Sequence, residues 1–376
     1  MNILFIANCT TLYGANRSML EMAEELQKSG NQIFFLFPGR GEVLKCVRER
    51  KYKYKILDYQ PSVQKITEKC MSKSISALLH NLSLLKELKS LLIQWKIDII
   101  HTNSITHDIG MLLSLRMGIP HVWHVREMLE DDYGLEFNYK ILQKILFCKS
   151  NQIIYISEAV KQKHHFQKRL RGAVVYDPID CNQYLQKKEK IFEEEHLRLL
   201  LCGAIVEGKG HIDAIKAVNY IVKKKGKLLH LQIVGSGSRS YMAELKSYVQ
   251  KNQLEDIVEF LPFQKDLTKL RKKNDIALIC SKNEALGRVT IESMLSELLV
   301  IGTKSGATPE LLGYGKRGYL YSVGNYKELA EKLLYVMKNK EQQKEKIHYA
   351  REYAKQTFEV KSRTKDILRI YQSVLK

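Results

Sequence analysis

No stretch of about 18 consecutive apolar residues occurs in the 376-residue chain, so no membrane-spanning helix is expected. The opening, MNILFIANCT, has no basic leader and only a short apolar run broken by polar residues, so no signal peptide is expected. The seven cysteines show neither CxxC pairing nor finger-like spacing, which argues against a disulfide framework and a structural zinc and fits a reducing compartment. No zinc finger and no RNP-like aromatic run is present, so no specific nucleic-acid partner is expected. GxxxxGKS and GxxxxGKT are missing, and the first apolar run leads into CTTLYGA rather than GxGxxG, which excludes a P-loop and a dinucleotide fingerprint. Together these absences point to a cytoplasmic protein, at most placed on the inner face of the cell membrane.

Acidic residues are also few: 41 against 61 Lys and Arg, a net charge of +20. A cation this large is drawn to polyanions such as nucleic acid, anionic lipid or phosphorylated substrates. The excess thickens at KKKGK (223–227) and QKHHFQKRLRG (162–172). Each is either a solvated face or a docking surface, and charge alone does not choose. A non-catalytic basic protein that binds nucleic acid or a membrane surface is therefore one reading of the composition.

What is present has the period of an α/β protein. Short apolar, β-branched runs recur at 2–8, 32–37, 54–57, 97–100, 121–125, 152–157 and 173–176, and again at 197–203, 229–235, 257–261, 276–280 and 298–302. Runs of this length with little alternation suit strands buried on both faces of parallel sheets. Helical patterns separate many of them, as in RSMLEMAEELQKSG (17–30), where Met19, Leu20, Met22, Ala23 and Leu26 form one stripe and Gly30 suits a C-cap. The length, at roughly 100–200 residues per domain, predicts two domains, each a doubly wound α/β sheet. The polar, weakly periodic stretch 181–196 is read as the connection, giving domains at 1–180 and 197–345 and C-terminal helices at 346–376 that cap the second sheet or cross back to the first domain. The Leu- and Lys-bearing helix at 73–96 is expected to bury itself on the first sheet, with membrane docking as its alternative.

Ligands of such sheets bind beyond the carboxyl ends of strands, where helix N-termini favour anions. Five loops there carry small residues: YGANRS (13–18), GAIVEGKGH (203–211), GSGSRS (235–240), NEALGRVTIE (283–292) and TKSGATPE (303–310). GSGSRS is a ligand loop or a plain tight turn. Lys209, between two glycines, can reach phosphate oxygens as a point charge. Glu284 and Glu292, eight positions apart, bracket a loop and the start of a helix. A carboxylate accepts hydroxyl donors and takes nothing from a phosphate, so this pair suits a ligand with hydroxyl-rich ends and a phosphorylated middle, which describes a nucleotide sugar. The competing reading has Glu292 complementing its own helix N-terminus and Glu284 as a solvated loop residue.

Here the chain resembles the retaining glycosyltransferases of family 4. NEALGRVTIESM is similar to their E-x7-E element, LVIGTKSGATPELL to the small-residue loop after it, and GAIVEGKGHIDAIKAV to their diphosphate loop and helix. YGANRSMLEMAEEL, IIHTNS, VWHVREM, YISEAV and VVYDPID follow the family order through the first half.

The resemblance implies the GT-B architecture, two Rossmann-like doubly wound domains facing across a cleft, and transfer of a hexose-type sugar with retention, without metal or cofactor. Glu292 would hold the ribose hydroxyls and Glu284 the donor sugar. Lys209, with the N–H groups of Leu286 and Gly287, would neutralise the diphosphate. Gly14 and Gly203 would allow close approach, and His124 would lie at the reacting centre. Arg126 and Glu127 would shape the acceptor side. The implied partners are a nucleotide-sugar donor, a saccharide or lipid-linked saccharide acceptor, and an anionic membrane surface.

The chain departs from the pattern where Ala204 replaces an arginine after Gly203, with Arg288 as the expected substitute. Further departures are Leu286 for phenylalanine, Gly306-Ala307 for Gly-Gly, and Asp177-Pro178 for Asn-Gly. Asp131 and Asp132 lack the spacing of a metal-binding DxD. A sugar epimerase or a phosphorylase of the same architecture is the enzymatic alternative; the first needs acid–base groups not matched here, the second a much longer chain.

Overall fold

A computed structural model describes residues 1–164, 172–185, 188, 192, 196–226 and 228–376. Most of the basic stretch 162–172, Lys227 of KKKGK and much of the expected connection 181–196 lie outside the described residues. The chain forms two compact units, one of Met1–Asp180 with Phe358–Lys376, the other of Cys181–Thr357.

The first unit contains strands β1 (Asn2–Ile6), β2 (Gln32–Phe37), β3 (Lys53–Ile56), β4 (Val63–Lys65), β5 (Ile99–Thr102), β6 (His121–Val125), β7 (Leu135–Phe137), β8 (Gln152–Tyr155) and β9 (Gly172–Val174). Seven make one parallel sheet in the order β3-β2-β1-β5-β6-β8-β9, and β4 pairs β7 in a separate antiparallel ribbon. The apolar runs become interior strands because both faces are covered. Ile3, Phe5, Phe35 and Ile99 pack under the helix Gly14–Lys28, whose buried stripe is Met19, Leu20, Met22, Ala23 and Leu26. Gly30, at φ +83°, ends that helix in a conformation other residues avoid. On the opposite face Leu4, Ile100 and Leu113 meet Leu88 and Leu92 of the helix Met71–Trp95. Only the C-terminal half of that long helix is packed in this way. Its N-terminal half exposes Met71, Ile75, Leu79 and Leu82, so the expected burial holds for half its length.

The second unit contains β10 (Leu197–Cys202), β11 (Leu229–Val234), β12 (Val258–Leu261), β13 (Ile276–Ile279), β14 (Leu299–Thr303) and β15 (Tyr319–Tyr321), all parallel in the order β12-β11-β10-β13-β14-β15. The helix Lys340–Phe358 runs through position 346 without a break, so residues up to Thr357 stay with the second unit. The helix Val360–Val374 then returns to the first unit, where Ile367 and Tyr371 are fully buried in its core. Backbone pairing seals this return: Ile179 N–H donates to the Phe358 carbonyl at 2.8 Å. Of the expected connection, Tyr184 and Lys188 are buried in the second unit. In each sheet the order of strand addition switches from one side to the other between two parallel central neighbours, β1 and β5 in the first and β10 and β13 in the second, which is where an α/β sheet offers a crevice.

Candidate functional site

The second unit gathers most of the expected residues at the carboxyl ends of β10 and β13. Lys209 closes a 3-10 turn, Glu207–Lys209, after β10. Gly210 follows at φ +65°, and a Cβ there would fall 2.0 Å from the Cys280 carbonyl oxygen, so only glycine lets this turn press on the end of β13. The two loops are then joined twice, and a third bond fixes the joining carboxylate within its own loop. Lys282 N–H donates to the Gly208 carbonyl at 2.8 Å, Lys209 Nζ lies 2.5 Å from Glu284 Oε1, and Ser281 Oγ donates to that same oxygen at 2.6 Å. The loop after β14 supports Glu284 from behind: Ala307 N–H donates to its carbonyl at 2.8 Å. Gly306, at φ +56°, would put a Cβ 2.3 Å from that carbonyl oxygen.

Glu292 lies one turn into the helix Arg288–Leu295, whose N-cap is Gly287 at φ +81° and whose approach is fixed by buried Leu286. Its carboxylate accepts from Tyr184 Oη at 3.1 Å on one oxygen and from Arg271 Nη2 at 2.5 Å on the other, and Arg288 Nε stands 3.8 Å from the first. The Arg271 guanidinium also lies over the Tyr184 ring, 5.1 Å from its centroid. Glu292 is therefore not spent on its own helix terminus, and Glu284, with a side chain 16% exposed, is not a solvated charge. Burial pushes the Cys202 thiol up to about 12, with Arg271 opposing and Glu292 reinforcing. Both charges are thus felt at the end of β10, beside the position where Ala204 replaces an arginine. Gly203, at φ +149°, has open space where a Cβ would point.

Sequence reasoning missed Arg271 and Tyr184. Arg271 sits in the basic run TKLRKK, to which the sequence reading gives no role, and Tyr184 lies in the segment read as a connection. Neither carries a local signal of its partner, because the partner is 21 and 108 positions away.

The remaining expected residues belong to the first unit. Gly14 opens the helix Gly14–Lys28, and buried Asn16 anchors the preceding loop by donating to the carbonyls of Cys9 at 3.0 Å and Thr11 at 2.7 Å. His124, on β6, is fully buried. Its Nδ1 has two neighbours at 3.2 Å, Arg126 Nη2 and His101 Nε2. A guanidinium only donates, so Nδ1 accepts, His101 carries its proton on Nε2, and Tyr371 Oη donates to His101 Nδ1 at 2.7 Å. Burial first, and the Arg126 charge second, hold both imidazoles well below the ordinary histidine range, so each ring is neutral and has one donor. His124 thus keeps its proton on Nε2, which lies 3.8 Å from Asp177 Oδ1 and has no hydrogen-bond partner among the described residues.

Arg126 is held by Asp177 through Nη1 and by Asn103 Oδ1 at 3.0 Å. Glu127 accepts from Ser104 Oγ at 2.7 Å and from Ile105 N–H at 3.2 Å, and burial raises its carboxyl above the usual range. Arg126 and Glu127 are both buried, so they act on the loops they tie together rather than by presenting charge at the surface. Asp131 pairs with Lys163 at 2.8 Å and Asp132 accepts from Met128 N–H at 2.7 Å.

Two family models match the chain: Glycosyltransferase Family 4 over residues 13–183, and Glycosyl transferases group 1 over residues 183–356. An N-acetyl-alpha-D-glucosaminyl L-malate synthase from Bacillus anthracis is 24% identical over 369 residues, covering 95% of this chain and 93% of that protein. The capsular polysaccharide biosynthesis glycosyltransferase CapM of Staphylococcus aureus is 24% identical over 207 residues, 51% of this chain and 54% of its own. Among solved structures, Anabaena HepE in complex with UDP superimposes with a TM-score of 0.82 at 20% identity, covering 99% of this chain and 100% of that one. With both halves matched by these models, and with two parallel-sheet Rossmann-like units of the GT-B type, the chain belongs to glycosyltransferase family 4.

Proposed function

We propose that this glycosyltransferase moves a hexose-type sugar from a nucleoside-diphosphate donor to an acceptor hydroxyl, with retention at the anomeric carbon and without a metal ion. One observation carries the reading: a lysine, two arginines and two glutamates converge at the carboxyl ends of β10 and β13 in the second unit. In it, Glu292 takes the ribose hydroxyls with the oxygen lone pairs that Tyr184 and Arg271 leave open. Glu284 takes sugar hydroxyls. Lys209, Arg288 and the first N–H groups of the helix Arg288–Leu295 meet the diphosphate, with Arg288 in place of the arginine absent at Ala204. As the sugar–phosphate bond breaks, charge grows on the diphosphate, and fixed cations and dipoles stabilise it with little reorganisation. Relatives support the substrate classes: HepE is a UDP complex, and CapM is named for capsular polysaccharide synthesis.

The acceptor proposed is a saccharide or lipid-linked saccharide. Support comes from the first unit, where Met71, Ile75 and Leu79 lie exposed on one helix, and Ile141 and Ile145 on another. Lys69 and Lys140, at the starts of these two helices, both reach Glu136, at 2.8 and 3.3 Å. Exposed Lys73, Lys86 and Lys144 lie on the same two helices, a composition suited to an anionic membrane surface.

The test is a thermal-shift screen with UDP, GDP, ADP and TDP and their common sugars, repeated on Glu292→Ala in the presence of EDTA. The expected result is one preferred nucleotide whose shift survives EDTA and is lost in the variant. Product NMR should then show the donor's anomeric configuration. No shift with any nucleotide, or an inverted product, overturns the proposal.

A further inference from the structure

The two groups assigned to opposite parts of the donor are bonded to each other in the free protein. Lys209 Nζ, meant for the diphosphate, sits 2.5 Å from Glu284 Oε1, meant for the sugar, and Ser281 Oγ holds that same oxygen at 2.6 Å. Both side chains are partly shielded, 34% and 16% exposed. A ligand that draws Lys209 away must therefore leave a shielded carboxylate short of a cation unless it also supplies donors to Glu284.

An intact nucleotide sugar does both at once: its phosphate oxygens accept from Lys209, and its hydroxyls donate to Glu284. A nucleoside diphosphate without the sugar does only the first, and a free sugar only the second. We propose that the Lys209–Glu284 pair is a latch opened fully only by the whole donor, so that the protein favours the nucleotide sugar over the nucleoside diphosphate it releases.

The inference rests on the donor-site reading and deepens it from contact residues to a discrimination device. After transfer the sugar leaves with the acceptor, Glu284 loses its hydroxyl donors and competes again for Lys209, and the diphosphate is loosened. Specificity and product release then come from one ion pair, through the cost of breaking it without replacement.

The test uses the whole chain and four proteins: wild type, Glu284→Gln, Lys209→Met and the double variant. Each is titrated calorimetrically with UDP and with UDP-glucose, or with the matching pair if the screen selects another base. Glu284→Gln should bind the diphosphate about three- to tenfold more tightly than wild type, as expected for freeing a partly exposed cation, and the preference for the sugar nucleotide should shrink. In the Lys209→Met background the same substitution should give no such gain.

Equal gains in both backgrounds would mean simple repulsion between Glu284 and phosphate, and would overturn the latch. Unchanged or weaker diphosphate binding in Glu284→Gln would overturn it too. Wild type that binds neither ligand pair would instead remove the donor-site reading beneath it, a result distinguishable from both.

Discussion

Glu292 and Arg271 can be separated into a structural pair and a ligand contact by one double-mutant cycle. Their side chains are 8% and 7% exposed and 2.5 Å apart. Removing one member of a buried ion pair leaves the other charge desolvated and costs about 3–5 kcal/mol. For a unit of this size each kcal/mol lowers Tm by roughly 2–4 °C, so Glu292→Leu should lose about 6–20 °C. Arg271→Leu should fall near the lower end, because Arg288 remains 3.8 Å from the carboxylate. The double variant replaces both charges with apolar volume and leaves neither unpaired, so it should regain much of the loss, with a coupling energy of about 2 kcal/mol or more. Stability is read by urea titration of the four proteins, and nucleotide affinity by calorimetry on the same samples. The recovered double variant should still bind the donor nucleotide at least tenfold more weakly than wild type, since the ribose loses its acceptor. Strictly additive stabilities would refute the buried pair, and wild-type affinity in the double variant would refute the ribose contact.

Three further outcomes follow from the same geometry. Gly306→Ala combines a left-handed backbone with a Cβ 2.3 Å from the Glu284 carbonyl; it should cost about 1–3 kcal/mol and raise the donor KM, and an unchanged KM would show that Glu284 is not held from behind. Tyr371→Phe leaves His101 Nδ1 buried without its donor and should cost about 1–3 kcal/mol, while nitrogen-15 NMR of His124 should still show the proton on Nε2; a proton on Nδ1, in either protein, contradicts the assignment from Arg126. Stability of the first unit should fall as pH drops from about 6.5 to 4. Burial holds His107 and His164 at about 4, His121 at about 3, and His101 and His124 well below their ordinary range, so the unfolded chain binds more protons there. Asp108, raised by burial to about 6, and Glu127, also raised by burial, oppose this because their native forms hold protons longer. The five imidazoles outnumber the two carboxyls, so unfolding takes up protons on balance and stability falls with pH; a urea midpoint that is flat or rising towards pH 4 contradicts it.

The sheets were legible because a strand buried on both faces must be apolar throughout, and QIFFLF and HVWHV are observed with the bounds expected from sequence. The strand Tyr319–Tyr321 escaped notice because YLY is three residues long and half-buried, and the ribbon Val63–Lys65 with Leu135–Phe137 because each side is equally short. Lys209 and Glu284 stood out because each lies in a glycine-bearing loop at a strand end, a local pattern. Their pairing did not, since it depends on β10 and β13 being neighbours in the sheet. The same holds for His101 and Tyr371, 270 positions apart, and for Arg271, whose basic surroundings suggest water while its own side chain is buried. The long helix Met71–Trp95 misled in the opposite direction: its leucines imply burial along its length, yet the sheet covers only the half that carries Leu88 and Leu92.

The return of the last helix to the first unit also sets a clock on biosynthesis. When Asp180 has been added, the first unit still lacks Phe358, Ile367 and Tyr371, all three fully buried in the finished protein. The intervening segment Cys181–Thr357 must be translated first, which at about 5–20 residues per second takes on the order of 10–35 s. Throughout that interval the groove that will receive Val360–Val374 is an apolar vacancy on a nascent chain, and the second unit completes its own core while the first waits. The N-terminal half, first to be made, is therefore the last to be finished, and chaperone dependence and sensitivity to altered C-termini should both be felt there.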